Sequence, residues 1–311
     1  MLSRRSVRIK AMQLLFAVNR DHDLSVEEAK ERYWTYIEDT FSLYILNLAV
    51  IINIAKIAQK DLENRKKKHL PTDLDKIFKD KIYNNSLVKN LDLNPLLKKE
   101  LAKLKVEEYI QKDYYDSMYN EFAKKEEYSK YITKESSNED HLEILLELYR
   151  FCRQNELFNE IMEGYFGTWV DDKSVVVGAV KKTLKALPHE SDDFFFKYKS
   201  PDETVKDFGY NLFIRAIEND EELLKQIEPN LKNWESDRIA IIDMILMKMA
   251  LCEMMGFNTI PTKVTINEYV EIAKNYSTAK SKEFINGVLD KIMKDLEAKG
   301  DIVKIERESD S

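Results

Sequence analysis

The chain has 311 residues, 44% hydrophobic and 34% charged, with a net charge of −7. That length allows one or two domains with a substantial core, and the acidic sum argues against a general polyanion binder. Seven glycines and six prolines suit a mostly helical chain, while Cys152 and Cys252, far apart, exclude a disulfide framework and offer no zinc spacing.

The N-terminus carries Arg4, Arg5, Arg8 and Lys10 but no apolar h-region, which speaks against a secretory signal and for the cytoplasm. Residues 1–20 contain no acid at all. The run SRRSVRIKAMQLLFAV has helical period, with Ile9, Met12 and Phe16 on one side. Arg4 and Arg8 sit one turn apart and Arg5 three residues before Arg8, so the three guanidinium groups can share a face. Such a cluster suits phosphate contacts; the alternative is a solvated basic face.

Residues 25–60 read as one long helix or two in series, with Trp34, Ile37, Phe41, Tyr44, Leu48, Ile51, Ala55, Ala58 and Leu62 as a packing seam. Residues 40–55 lack charge and resemble a membrane span. They fall short of the ~20 residues a bilayer needs, and Ser42, Asn47 and Asn53 interrupt them, so a buried core helix is expected. The basic run 65–68 reads as a solvated helix end, with an RNA contact as the alternative.

From 70 to 200 the expectations are coarse. A loop is placed at 91–95, one charged helix over 97–131, a polar break at 136–140 and a helix over 141–166. A turn at 164–173, an apolar helix over 175–187 ended by Pro188, and an acidic connection through 191–201 complete this stretch. No repeat of fixed period is visible.

A helix pair follows from Asp207. The strongest pattern then comes at 237–296. Ser236 is expected as N-cap and Gly256 as a left-handed stop. Between them Ile239, Ile242, Leu246, Met249 and Ala250, widened by Ile241, Ile245 and Met247, give a helix apolar almost all round, which belongs inside a bundle. Thr262 is expected to cap a second helix bearing Val264, Ile266, Val270 and Ala273. A third follows Thr278, with Ile285, Val288, Leu289, Ile292 and Leu296 on one face. Short connections predict antiparallel packing. Gly287 reads as a close packing contact that Asn286 can bridge, and Asn267 and Glu268 as ties to neighbouring helices.

Reaction chemistry has no candidate. No phosphate-cradling glycine loop occurs, and none of the four histidines has a Glu three residues before it. Asp21-His22-Asp23 reads as a polar loop, and Asp171 and Asp172 as turn or cap residues. No nucleophile–base pair can be nominated, so neither an enzyme, a metal site nor a cofactor is expected. Phe284, preceded by Lys280 and Lys282, offers an aromatic edge flanked by cations, which suits stacking on a base of single-stranded RNA. The alternative places Phe284 in the core.

The strings IPTKVTINEYVEIAK, SKEFINGVLDKI and ALCEM, with SRRSVRIKAMQLLFA at the start, together resemble the NusB family of bacterial transcription antitermination factors. WVDDK followed by an apolar helix is similar to enlarged forms in Bacteroidetes-type bacteria. The resemblance implies an all-α fold: a NusB-like antiparallel bundle of two three-helix bundles, interrupted by a large helical insertion. The NusB-like domain would comprise 1–30 plus 205–296, the insertion 31–204, and an acidic, disordered tail 297–311. It also implies binding of boxA, a short single-stranded RNA element, through Arg4, Arg5, Arg8, Lys280, Lys282 and Phe284. Lys280 departs from the acidic residue some relatives have there. NusE, a small-subunit ribosomal protein, would dock at Phe16 and Asp243 within an RNA polymerase antitermination complex acting notably in ribosomal RNA operons. A homodimer is compatible with this reading, a membrane is not, and a protein-binding scaffold without RNA is the other class. For Asp243 an internal salt bridge is the competing reading, since a carboxylate on an apolar helix needs a partner or water.

Overall fold

The computed structural model describes residues 1–231 and 239–305. Every regular element among them is helical, so the chain is all-α. It clusters into two units. One, here the terminal unit, joins Leu2–Ile37 to Ser200–Ser311; the other, the central unit, is Glu38–Lys199 with Met1. The sequence placed these seams at 30/31 and 204/205; contacts place them at 37/38 and 199/200.

Helix α1 (Arg4–Arg20) starts at Ser3, whose hydroxyl accepts from the Ser6 amide. Helix α2 (Val26–Lys66) is a single helix of 41 residues. Its start is a reciprocal cap: the Ser25 amide donates to Glu28 at 2.9 Å and the Glu28 amide donates to the Ser25 hydroxyl at 3.2 Å. By length and composition α2 passes for a membrane span, yet 72% of its most apolar stretch is buried inside the protein.

The central unit wraps the later part of α2 with α3 (Asp73–Ile77), α4 (Ser86–Asp92), α5 (Pro95–Leu104), α6 (Val106–Tyr109), α7 (Lys112–Phe122), α8 (Glu126–Thr133), α9 (Asn138–Gln154), α10 (Glu156–Tyr165) and α11 (Trp169–Lys185). The single helix expected over 97–131 is therefore several. Its first break is Lys105, in the left-handed region at φ 53°. The helix expected over 141–166 divides at Asn155, whose side chain caps α10 by accepting from the Phe158 amide at 2.9 Å. Residues 191–201, expected as a polar connection, bury Phe194 and Phe195.

The terminal unit continues with a π-helical segment (Glu203–Tyr210), α12 (Asn211–Glu218), α13 (Asp220–Ile227), α14 (Ile241–Gly256), α15 (Thr262–Tyr276) and α16 (Ser281–Lys299). α1, the π-helical segment and α12 pack on one another and on α14, while α14, α15 and α16 pack as a second group. α14 buries residues on every side, including Asp243 and Glu253.

The π-helical turns have a local cause. The Tyr33 hydroxyl donates to the Val205 carbonyl at 2.6 Å, inserting a side chain into the backbone ladder. A Cβ on Gly209 would lie 2.3 Å from that hydroxyl and 2.9 Å from Val7 Cβ.

Several local expectations are corrected. Ser236 lies outside the described residues. Gly256 closes α14 without a left-handed turn; its missing side chain instead admits Arg215, whose Nη1 would be 2.6 Å from a Cβ there. Thr262 is buried and makes no cap bond. Gly287 packs against nothing, since a Cβ there would meet no atom within 4 Å, and Asn286 is exposed. The left-handed stop is Gly300, at φ 77°, after α16. Part of the expected tail is held: the Ile305 amide donates to Asn258 at 3.1 Å and Lys304 Nζ to Phe257 at 3.0 Å. Residues 306–311 lie outside the described residues.

Candidate functional site

Helix α1 presents Arg4, Arg5 and Arg8 in three different environments. Arg4 pairs with Glu203 at 3.2 Å, with both side chains well exposed, and its guanidinium lies 5.5 Å from the Phe208 ring centroid. Arg5 makes a bidentate pair with Glu268 of α15, Nε to Oε2 at 2.8 Å and Nη2 to Oε1 at 2.7 Å, and its side chain is 49% exposed. The hydrogen bond from Glu268 raises the Arg5 pKa above its ordinary value, and the same bond holds the Glu268 carboxyl below the usual range, with Arg8 adding to it.

Arg8 corrects the expectation that all three arginines face a ligand. Its side chain is 3% exposed and forms a bidentate pair with Glu253 of α14, itself fully buried, at 2.6 and 2.7 Å. Glu253 also accepts from Thr265 at 2.8 Å and Tyr269 at 3.1 Å, and Arg8 reaches Glu268 at 3.4 Å. Its guanidinium stacks between Phe208, at 4.9 Å, and Tyr269, at 5.8 Å. Every strong hydrogen-bonding position on the carboxylate is thus occupied, the condition under which a buried pair is tolerated. Arg8 pins α1 to α14 and α15 and offers nothing to a phosphate.

Phe284 sits in the first turn of α16, partly buried and packed against the terminal unit's core. Lys280, just before the helix, is exposed, and Lys282 pairs with Glu283 at 3.1 Å. Arg5 is tied to α15 through Glu268, and α15 packs closely along α16.

The two residues singled out for a protein partner part company. Phe16 is 37% exposed. Beside it on α1, Leu15 and Val18 line a groove of about 580 Å³ with Ile217, Ile241, Met244 and Ile245, and at its rim Lys248 pairs with Asp220 at 2.6 Å. Asp243 is buried instead and accepts from Ser277 at 2.5 Å and Ser281 at 2.7 Å, fastening the turn that leads into α16. It needs no partner chain to satisfy it, and the internal tie is hydroxyl rather than a salt bridge.

Sequence reasoning missed Glu253 and Glu203 and gave Glu268 no arginine. The signal was present for Glu253: a carboxylate inside the all-apolar ALCEM run demands a buried cation, the argument applied to Asp243 alone. Among the described residues no cluster of His, Cys, Asp and Glu suits a metal ion. Both cysteines are buried, with their thiols pushed up to about 12 by desolvation.

The fold is all-helical, and Arg4, Arg5 and Arg8 are each held by a carboxylate. Residues 174–294 match the sequence model of the NusB family. The "Transcription antitermination protein NusB" of Koribacter versatilis is 38% identical over 114 residues, 37% of this chain and 78% of that protein. Proteins of the same name from Salinibacter ruber and Chloroherpeton thalassium are 42% and 43% identical, over 34% and 31% of this chain. This chain spans 66% and 46% of their lengths. No solved structure matches. The chain belongs to the NusB family. The matched stretch begins at 174, inside α11 and earlier than the expected return near 205, and it leaves out α1.

Proposed function

We propose that this protein is a cytoplasmic transcription antitermination factor that captures boxA-like single-stranded RNA. Arg4 and Arg5 hold phosphates, the half-buried Phe284 ring takes part in stacking on a base, and Lys280 and Lys282 add cation at the start of α16. NusE docks alongside, over Phe16 and the neighbouring groove, and the assembly on RNA polymerase suppresses termination, notably in ribosomal RNA operons. The observation that carries the reading is that Arg5, about half exposed, is held on α15 by Glu268, and that α15 packs along α16, whose first turn carries the partly exposed Phe284. Arg8 drops out of the RNA set and Asp243 out of the partner set, for the reasons of burial given above.

Fluorescence anisotropy with a boxA-like RNA, with and without NusE, tests the proposal. Binding should tighten with NusE and weaken in an Arg4→Ala/Arg5→Ala double variant, with a shallower salt dependence. A second reading, a helical protein-interaction scaffold without RNA binding, draws on one observation: both exposed arginines are already paired with carboxylates. Absence of RNA binding at low salt, with NusE binding intact, decides for it.

A further inference from the structure

We propose that Glu268 and Glu203 are internal anions standing where RNA phosphates act, so that capture of RNA is an exchange of one anion for another and these glutamates set its affinity. The inference rests on the functional reading above and goes beyond it. Arg4 and Arg5 each carry one glutamate from elsewhere in the terminal unit, Arg4 from the π-helical segment and Arg5 from α15. Glu268 takes the Nε and Nη2 donors of Arg5 together, the fork with which arginine grips a phosphate. A phosphate has two ways in. It takes that fork and displaces the carboxylate, or it takes the remaining edge and sits across one guanidinium from a like charge. At about 5 Å such charges repel without benefit of screening, since a Debye length at physiological salt is about 8 Å. Either way the glutamate opposes binding.

Glu268 also reaches Arg8, yet Arg8 already has both oxygens of Glu253, so it does not depend on Glu268 for its charge balance. Among the described residues Glu203, 77% exposed, pairs with Arg4. Pairing each charged arginine with a carboxylate makes the pair net neutral and lowers its share of the counterions released on binding.

The test compares wild type with Glu268→Gln, Glu203→Gln and the double variant, by anisotropy with a boxA-like RNA over a salt series. Each substitution should tighten binding by about two- to fivefold, the size of an exposed ion pair. Each should also steepen the salt slope, by about 0.7 per arginine released. A glutamate serving only to hold the fold leaves the slope where it was. Should Glu268→Gln unfold, Glu203→Gln carries the test alone, being exposed at both ends. Unchanged or weaker binding in Glu203→Gln, with wild type binding RNA, overturns the proposal and leaves the functional reading standing. Absence of RNA binding by wild type and the double variant alike overturns both.

Discussion

In the terminal unit the most deeply buried polar contact is ionic: Arg8 and Glu253, 3% and 0% exposed, with Thr265 and Tyr269 completing the carboxylate's shell. The central unit buries the ion-paired carboxylate of Asp75, whose cationic partners Arg65 and Lys68 are 19% and 49% exposed, and elsewhere buries hydroxyls and amides that satisfy one another. Tyr44 meets Thr183 at 2.7 Å, Tyr149 donates to Asn47 at 2.9 Å, Asn47 donates to Leu43 at 2.7 Å, and Tyr119 meets Tyr128 at 3.0 Å. Its buried Asp172 is held by the hydroxyls of Thr40 and Thr168, at 2.7 and 3.0 Å. Losing one end of a neutral pair strands a dipole; losing one end of the ionic pair strands a charge. The two units should differ sharply in tolerance to single substitutions, even with cores built from similar apolar residues.

The largest effect is expected at Glu253. Glu253→Ala takes the bidentate partner from the buried Arg8 guanidinium and leaves it only the longer 3.4 Å contact to Glu268, costing about 3–5 kcal/mol. Urea unfolding followed by circular dichroism measures this, and a loss below 1 kcal/mol would mean that the pin is not what holds α1. Next comes Phe284→Ala, which should cost about 1–3 kcal/mol of RNA affinity. Neutralising Lys66 and Lys67 in the central unit should leave that affinity unchanged, and comparable losses from both would erase the division of labour. Tyr149→Phe in the central unit should cost only about 1 kcal/mol, because it leaves the small, neutral Asn47 amide without one partner. A cost matching that at Glu253 would break the contrast.

The smallest expected effect concerns acid. Glu268 titrates below its usual range because of the Arg5 hydrogen bond and then Arg8. A depressed folded pKa means stability present above the unfolded value of about 4.3 and lost as pH falls through the folded one. The unfolding midpoints of wild type and Glu268→Gln should therefore differ near neutrality and converge in acid. A constant gap down to pH 2 would show that the carboxylate's charge is not what it contributes.

How much of this was legible follows from where the signals are redundant. α14, α15 and α16 announce themselves because period, short connections and apolar content agree, and Ile285, Val288, Leu289, Ile292 and Leu296 are all buried as expected. The breaks inside 97–131 were not legible: no glycine or proline marks them, and a lysine takes the left-handed turn at 105. Arg4, Arg5 and Arg8 share a sequence context but not an environment. What separates them is the carboxylate each meets, at 203, 268 and 253, and no local pattern reaches across nearly 200 residues or more. Asp243 and Glu253 were equally conspicuous as acids in an apolar helix, and only the structure says which one meets an arginine.

Gly209 carries a lesson for anyone who surveys variants of this protein. Its α-hydrogen occupies the sole volume left between the Tyr33 phenol and Val7, so even alanine should be selected against there. A tolerance map would flag this position as strongly as any that handles a ligand. Intolerance at 209 would record crowding against Tyr33 and Val7, and reading it as recognition would mistake packing for contact.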